Sequence, residues 1–165
     1  MICVYYTIGQ TDSRLFLARV LEEYYGIRDA ARRLQFNLNG KPYLKDAPVR
    51  FNLSHSGDLT IVAAGKHQVG LDVQFRDEKP REALQKRLTP AEQEEDFFRL
   101  WTAKEAYVKY RGESLARLLP HLRFEDGTLT EDGAPAPVHL FFGELEGCAL
   151  CICSEKEENI VFRPV

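Results

Sequence analysis

Apolar positions in this chain fall into short runs, each closed by glycine, proline or an acidic residue. Residues 1–7 open with six consecutive apolar or aromatic positions and predict a buried first strand. Leu15, Leu17, Ala18, Val20 and Leu21 then recur at helical spacing, with Thr11 or Asp12 as the cap and Gly26 as the stop. Residues 37–50 carry Asn39-Gly40, Pro42 and Pro48, which predict a loop with short extended pieces. Three strands are predicted at 51–54, 59–64 and 69–74, separated by the turns Ser56-Gly57-Asp58 and Gly65-Lys66-His67. The character then changes, because 13 of the 25 residues from 75 to 99 are charged. That stretch predicts an exposed linker over 75–89 with a short helix. Thr89-Pro90-Ala91-Glu92 is a helix start, and the helix continues past an interruption near Asp96 through Trp101 to a stop at Gly112. The remainder is β-rich, with strands at 122–124, 138–142, 148–153 and 160–162. Two α+β parts joined by the charged stretch result.

Composition narrows the classes without choosing among them. With 165 residues, 44% apolar and 28% charged, the chain is long enough for its own core. A net charge of −3 argues against a nucleic-acid surface. No apolar run approaches the roughly 18 residues that cross a bilayer, so no membrane association is expected. The start carries no signal-peptide pattern, and the four cysteines, Cys3, Cys148, Cys151 and Cys153, are expected to be reduced thiols in the cytoplasm. Cys151 and Cys153 share a strand face while Cys148 takes the other, which favours buried thiols over a zinc site.

Three clusters carry candidate chemistry. In Phe51-Asn52-Leu53-Ser54-His55-Ser56-Gly57-Asp58, hydroxyls and an imidazole follow a short strand, which makes either an anion cradle or an ordinary polar turn. In Val69-Gly70-Leu71-Asp72-Val73-Gln74, an acid interrupts an apolar strand. A buried carboxylate needs a cation or donors, so Asp72 is either a ligand, with Gln74 on the same face, or a strand-end cap. Gly70 permits close approach of a ligand or another backbone. In Trp101-Thr102-Ala103-Lys104-Glu105-Ala106-Tyr107-Val108-Lys109-Tyr110, Glu105 and Lys109 share a helix face. They are either a solvated pair or a metal and phosphate site.

The order in which these motifs occur is informative. Asn39-Gly40-Lys41-Pro42, then FNLSHSGD, then VGLDVQ, then LWTAKEAYVKY resembles the 4′-phosphopantetheinyl transferases of the single-chain type, over nearly the whole chain. The resemblance implies an α+β fold of two similar small α/β halves packed as a pseudo-dimer, residues 1–74 and 75–165, with the linker 75–89 in the second. It implies transfer of phosphopantetheine from coenzyme A to a serine of an apo acyl or peptidyl carrier protein, with release of adenosine 3′,5′-bisphosphate. By the family pattern Asp72 and Glu105 bind Mg²⁺, with Gln74 adding an amide oxygen directly or through water. Lys109 meets the pyrophosphate, and Asp72, Glu105 and Lys109 form the catalytic set. Glu105, or a water it holds, takes the serine proton. Ser54, His55 and Lys41 hold the 3′-phosphate, Lys41-Pro42 lies near the adenine, and Arg14 faces the nucleotide. Arg76, Lys86 and Arg87 are placed to meet an acidic carrier helix, and the two-halved pattern suggests a monomer.

The chain departs from the pattern twice. Gln74 stands where a second acid is common, and only Ile8 to Ser13 occupy an interval that usually holds a basic helical segment. These departures motivate an alternative, a degenerate homologue that binds coenzyme A or a carrier without catalysis. An interaction module of another class predicts no coenzyme A affinity at all.

Overall fold

Strand β1 (Ile2–Ile8) is apolar on both faces because it is covered on both. In the computed structural model, which describes residues 1–76, 82–86 and 88–165, Cys3 and Tyr5 pack toward helix α1 (Ser13–Tyr25). Ile2 and Val4 instead face a second sheet. Two sheets lie face to face, each with a helix on its outer side, so the inner strands read as continuous apolar runs.

A short helix α2 (Ala30–Arg33) follows α1, and then a two-stranded hairpin, β2 (Gln35–Phe36) with β3 (Pro42–Tyr43). Next come β4 (Arg50–Ser56), β5 (Leu59–Gly65) and β6 (Val69–Phe75). Helices α3 (Glu82–Gln85), α4 (Pro90–Gln93), α5 (Phe97–Arg111) and α6 (Leu115–Leu118) occupy the middle of the chain. A small sheet of β7 (Leu122–Glu125), β8 (Thr128–Glu131) and β9 (Ala134–Pro135) precedes β10 (His139–Leu145), β11 (Cys148–Ser154) and β12 (Ile160–Pro164). The predicted strand at 51–54 runs on to Ser56, because each hydroxyl of this strand finds a partner on β6. The interruption near Asp96 is real, and its side chain caps α5 by accepting from Phe98 and Arg99 N–H. The linker residues 77–81 and Arg87 lie outside the described residues.

The two large sheets exchange strands. The first has the order β12-β1-β5-β4, and β12 joins it parallel to β1. The second has the order β10-β11-β6, so β6 leaves its sequence neighbours to pair antiparallel with β11. Strands β4 and β6 are therefore both edges, and side chains lace them together. Asn52 Oδ1, Ser54 Oγ and Ser56 Oγ accept from the N–H groups of Leu71, Val73 and Phe75 at 2.9, 3.3 and 2.9 Å. Those N–H groups face away from β11 and would otherwise be orphaned in the interior. The cysteines follow the predicted alternation: Cys148 packs between the sheets, and Cys151 and Cys153 pack under α5 as buried thiols. No helix among the described residues is long and apolar enough to cross a membrane.

Candidate active site

Alternation along β6 sends Val69, Leu71 and Val73 between the sheets and turns Gly70, Asp72 and Gln74 toward α5. Helix α5 crosses there because residue 70 has no side chain. A Cβ at Gly70 would overlap the Ala106 carbonyl oxygen and come within 2.6 Å of the Tyr110 nitrogen. The close approach that Gly70 permits is thus to a backbone, and it brings Glu105 and Lys109 onto Asp72.

Asp72 is 1% exposed, and its charge is answered from three sides. Lys109 Nζ donates to its Oδ1 at 2.6 Å, Ser54 Oγ donates to the same oxygen at 3.0 Å, and Gln74 Nε2 approaches Oδ2 at 3.3 Å. Lys109 Nζ also donates to Ser54 Oγ (3.1 Å) and stands 3.9 Å from Glu105 Oε2. One ammonium therefore sits between two carboxylates. Burial and, after it, the Asp72 charge push the Glu105 carboxyl up to about 7, against the opposing pull of Lys109.

The Glu105–Lys109 pair is consequently not the solvated couple that spacing alone allows. The two carboxylates offered here are hard oxygen donors, and the Gln74 amide beside them carries a further oxygen. They suit Mg²⁺, which accepts one or two protein carboxylates and fills its shell with water and phosphate. Among the described residues no cluster of three or more acids, histidines or cysteines forms a fuller metal cage.

The remaining predicted residues scatter around this centre. Ser54 joins it, but His55 points to the opposite, exposed side of β4 and lines a hollow with Gly9, Thr11 and Ser13. Their side chains face opposite ways, as adjacent residues of a strand do. Arg14 lies with its guanidinium 4.7 Å above the Phe36 ring. Lys41 and Pro42 border a cavity of about 320 Å³ with Tyr43, Arg50, Phe51 and Arg111. The Lys41 ammonium, however, donates to the Lys109 carbonyl at 2.5 Å, and burial lowers its pKa to about 8. Arg76 is committed to Glu144 and Asp96, at 2.6 and 2.9 Å.

Sequence reasoning missed two supporting arrangements. Lys104 and Glu92, 3% and 1% exposed, form an ion pair at 2.5 Å. Glu92 also accepts from Phe124 N–H (2.9 Å) and Thr89 N–H (3.1 Å), tying α4 and β7 to the helix that carries Glu105. The capping box at Thr89 pointed to Glu92, but nothing local pointed to Lys104 as its partner. Tyr107 OH donates to Glu131 at 2.6 Å and Arg111 donates to both, fixing α5 to β8.

Comparison with known proteins adds an independent line. Residues 68–162 match the family model of the 4′-phosphopantetheinyl transferase superfamily. The 4′-phosphopantetheinyl transferase HetI of Nostoc sp. is 34% identical over 126 residues, 66% of this chain and 53% of that protein. The 4′-phosphopantetheinyl transferase AcpT of Salmonella typhimurium is 30% identical over 132 residues, 70% of this chain and 63% of that protein. The 4′-phosphopantetheinyl transferase psf-1 of Bacillus pumilus is 29% identical over 134 residues, 72% of this chain and 55% of that protein. The chain spans about half the length of the curated relatives it matches.

Proposed function

We propose, since this chain belongs to the 4′-phosphopantetheinyl transferase superfamily, that it transfers 4′-phosphopantetheine from coenzyme A to a serine of an apo acyl or peptidyl carrier protein. The observation that carries the reading is the convergence of Asp72, Glu105 and Lys109 where α5 crosses β6. The carrier serine Oγ attacks the phosphorus that bears the pantetheine. The bond from that phosphorus to the oxygen of the adenosine phosphate breaks, and adenosine 3′,5′-bisphosphate leaves with the bond electrons. Glu105, or a water it holds, takes the serine proton.

Asp72 and Glu105 would hold Mg²⁺, with Gln74 supplying an amide oxygen directly or through water. The ion, when bound, neutralises charge on the pyrophosphate. Lys109 contacts the pyrophosphate from a position fixed by Asp72 and Ser54. The nucleotide end takes the cavity beside the Lys41-Pro42 backbone, with Arg14 facing the nucleotide and Ser54, His55 and Lys41 as the candidate 3′-phosphate contacts. The same reading divides the chain at 74/75 into two halves of a pseudo-dimer. The exchange of one strand each way, β12 into the sheet of β1 and β6 into the sheet of β11, supports it. It also makes the protein a cytoplasmic monomer, and four buried thiols are consistent with a reducing compartment.

The test is the intact mass of an apo carrier protein incubated with this protein, coenzyme A and Mg²⁺. A gain of one phosphopantetheine, lost with EDTA, is expected. No gain on acyl or peptidyl carriers, despite measurable coenzyme A binding, would overturn transfer and leave a homologue that only binds. Gln74 in place of an acid is the observation that favours this second reading.

A further inference from the structure

The last carbonyls of a helix have no partner within it, and they must be closed from outside. In α5 the backbone N–H groups of Gly112 and Glu113 reach the Lys109 and Val108 carbonyls locally, at 3.2 Å each, and side chains from far away in sequence close the end further. Asn37 Nδ2 and Asn39 Nδ2 both donate to the Gly112 carbonyl, at 3.0 and 2.9 Å. Lys41 Nζ donates to the Lys109 carbonyl at 2.5 Å, and Gln68 Nε2 to that of Tyr110 at 2.9 Å. Asn37 also builds the turn that delivers the others, since its Oδ1 accepts from the N–H groups of Asn39 and Lys41. Gly112 is left-handed (φ +69°), and a Cβ there would sit 3.3 Å from Asn37 Nδ2, so the helix end and the hairpin turn fit each other. The positive Lys41 ammonium also lies at the negative end of the helix dipole.

We propose that the turn between β2 and β3 is a cap for α5 supplied from a distant part of the same chain, and that Asn37, Asn39 and Lys41 are positioning residues that set Lys109 against Asp72. On this assignment the Lys41 side chain is not a ligand of the substrate's 3′-phosphate. Its nitrogen is held on the backbone of the residue that meets the pyrophosphate, so it acts on the reaction through Lys109. The inference rests on the transferase reading for its effect on rate, but not for the cap itself.

The experiment compares wild type with Lys41→Met, Lys41→Arg and Asn39→Ala in two assays. In the first, transfer to an apo carrier is followed with coenzyme A and with 3′-dephospho-coenzyme A as donors. The proposal expects kcat to fall roughly ten- to hundredfold for both donors in Lys41→Met, as misplacement of a reacting group predicts. KM and the preference between donors should stay as in wild type, and Lys41→Arg should recover part of the loss by donating to the same carbonyl. A loss confined to coenzyme A, with its KM rising to that of the dephospho donor, would overturn the proposal and make Lys41 a phosphate ligand.

The second assay is amide hydrogen exchange across residues 105–113, which needs no activity. Exchange at least about tenfold faster in Lys41→Met and Asn39→Ala supports the cap, and wild-type rates in both overturn it. Should wild type modify no carrier, the transferase reading fails, while the exchange result still decides the cap.

Discussion

Glu105 carries a conflict that ties stability to function. Its folded pKa of about 7 exceeds the ordinary 4.5 because burial and Asp72 disfavour the charge. Between those values the folded state binds more protons than the unfolded chain, so stability falls as pH rises through that window and the full penalty stands above it. Glu105→Gln in metal-free protein should therefore raise stability at pH 8 by about 1–2 kcal/mol, a partial value because the group is not fully enclosed. The gain should vanish near pH 4, which thermal unfolding at the two pH values checks. The same variant should abolish transfer. Gln74→Glu tests the metal assignment, since a third carboxylate should lower the Mg²⁺ concentration for half-maximal transfer by roughly tenfold. Lys104 behaves differently from Glu105 although it is its neighbour. Lys104→Met would leave the Glu92 carboxylate buried without its cation, at a cost of about 3–5 kcal/mol, readable as a drop in the urea midpoint.

At the scale of elements, the site is a crossing of one helix over one strand, and its separation is set by Gly70. Gly70→Ala puts a methyl group into the backbone of α5, so the helix must lift away from β6. The expected result is loss of transfer together with destabilisation of about 3 kcal/mol or more, measured by urea unfolding. Fully wild-type activity would show that the crossing distance does not matter to the site. The lacing of β4 to β6 belongs to the same scale. Asn52, Ser54 and Ser56 look like a polar strand end in sequence, but they act as a ladder of side chains joining two sheet edges. Ser54 does both jobs, holding the Val73 N–H and bonding Asp72.

The whole molecule is held together by exchanged strands. Because β12 completes the sheet of β1 and β6 completes the sheet of β11, neither end of the chain can keep its sheet if the other unfolds. Unfolding should therefore be a single cooperative event. Trp101 is the sole tryptophan, stacked on Phe97 within α5, so its fluorescence reports the helix that carries the site. Its denaturant transition should coincide with that of far-UV circular dichroism, which reports all the sheets. Two separated transitions would mean that the parts fold independently despite the shared strands.

Much of this was legible in the sequence. Apolar runs and turn residues placed most of the strands, the capping box at Thr89 and the stop at Gly112 bounded the helices, and the spacing of Glu105 and Lys109 put them on one face. These are local properties, fixed by the period of a strand or helix and by a few side chains near each end. The order of the motifs pointed to the family. What the tertiary structure alone decided is which distant partner each polar group meets. Asp72 meets Lys109, Lys104 meets Glu92, and Lys41 meets a helix carbonyl. A buried charge or an orphaned carbonyl must find a partner, but the demand names only a chemical type. The choice among the many lysines and acids of the chain is made by packing, when β6 leaves one sheet for another and Gly70 lets α5 settle upon it.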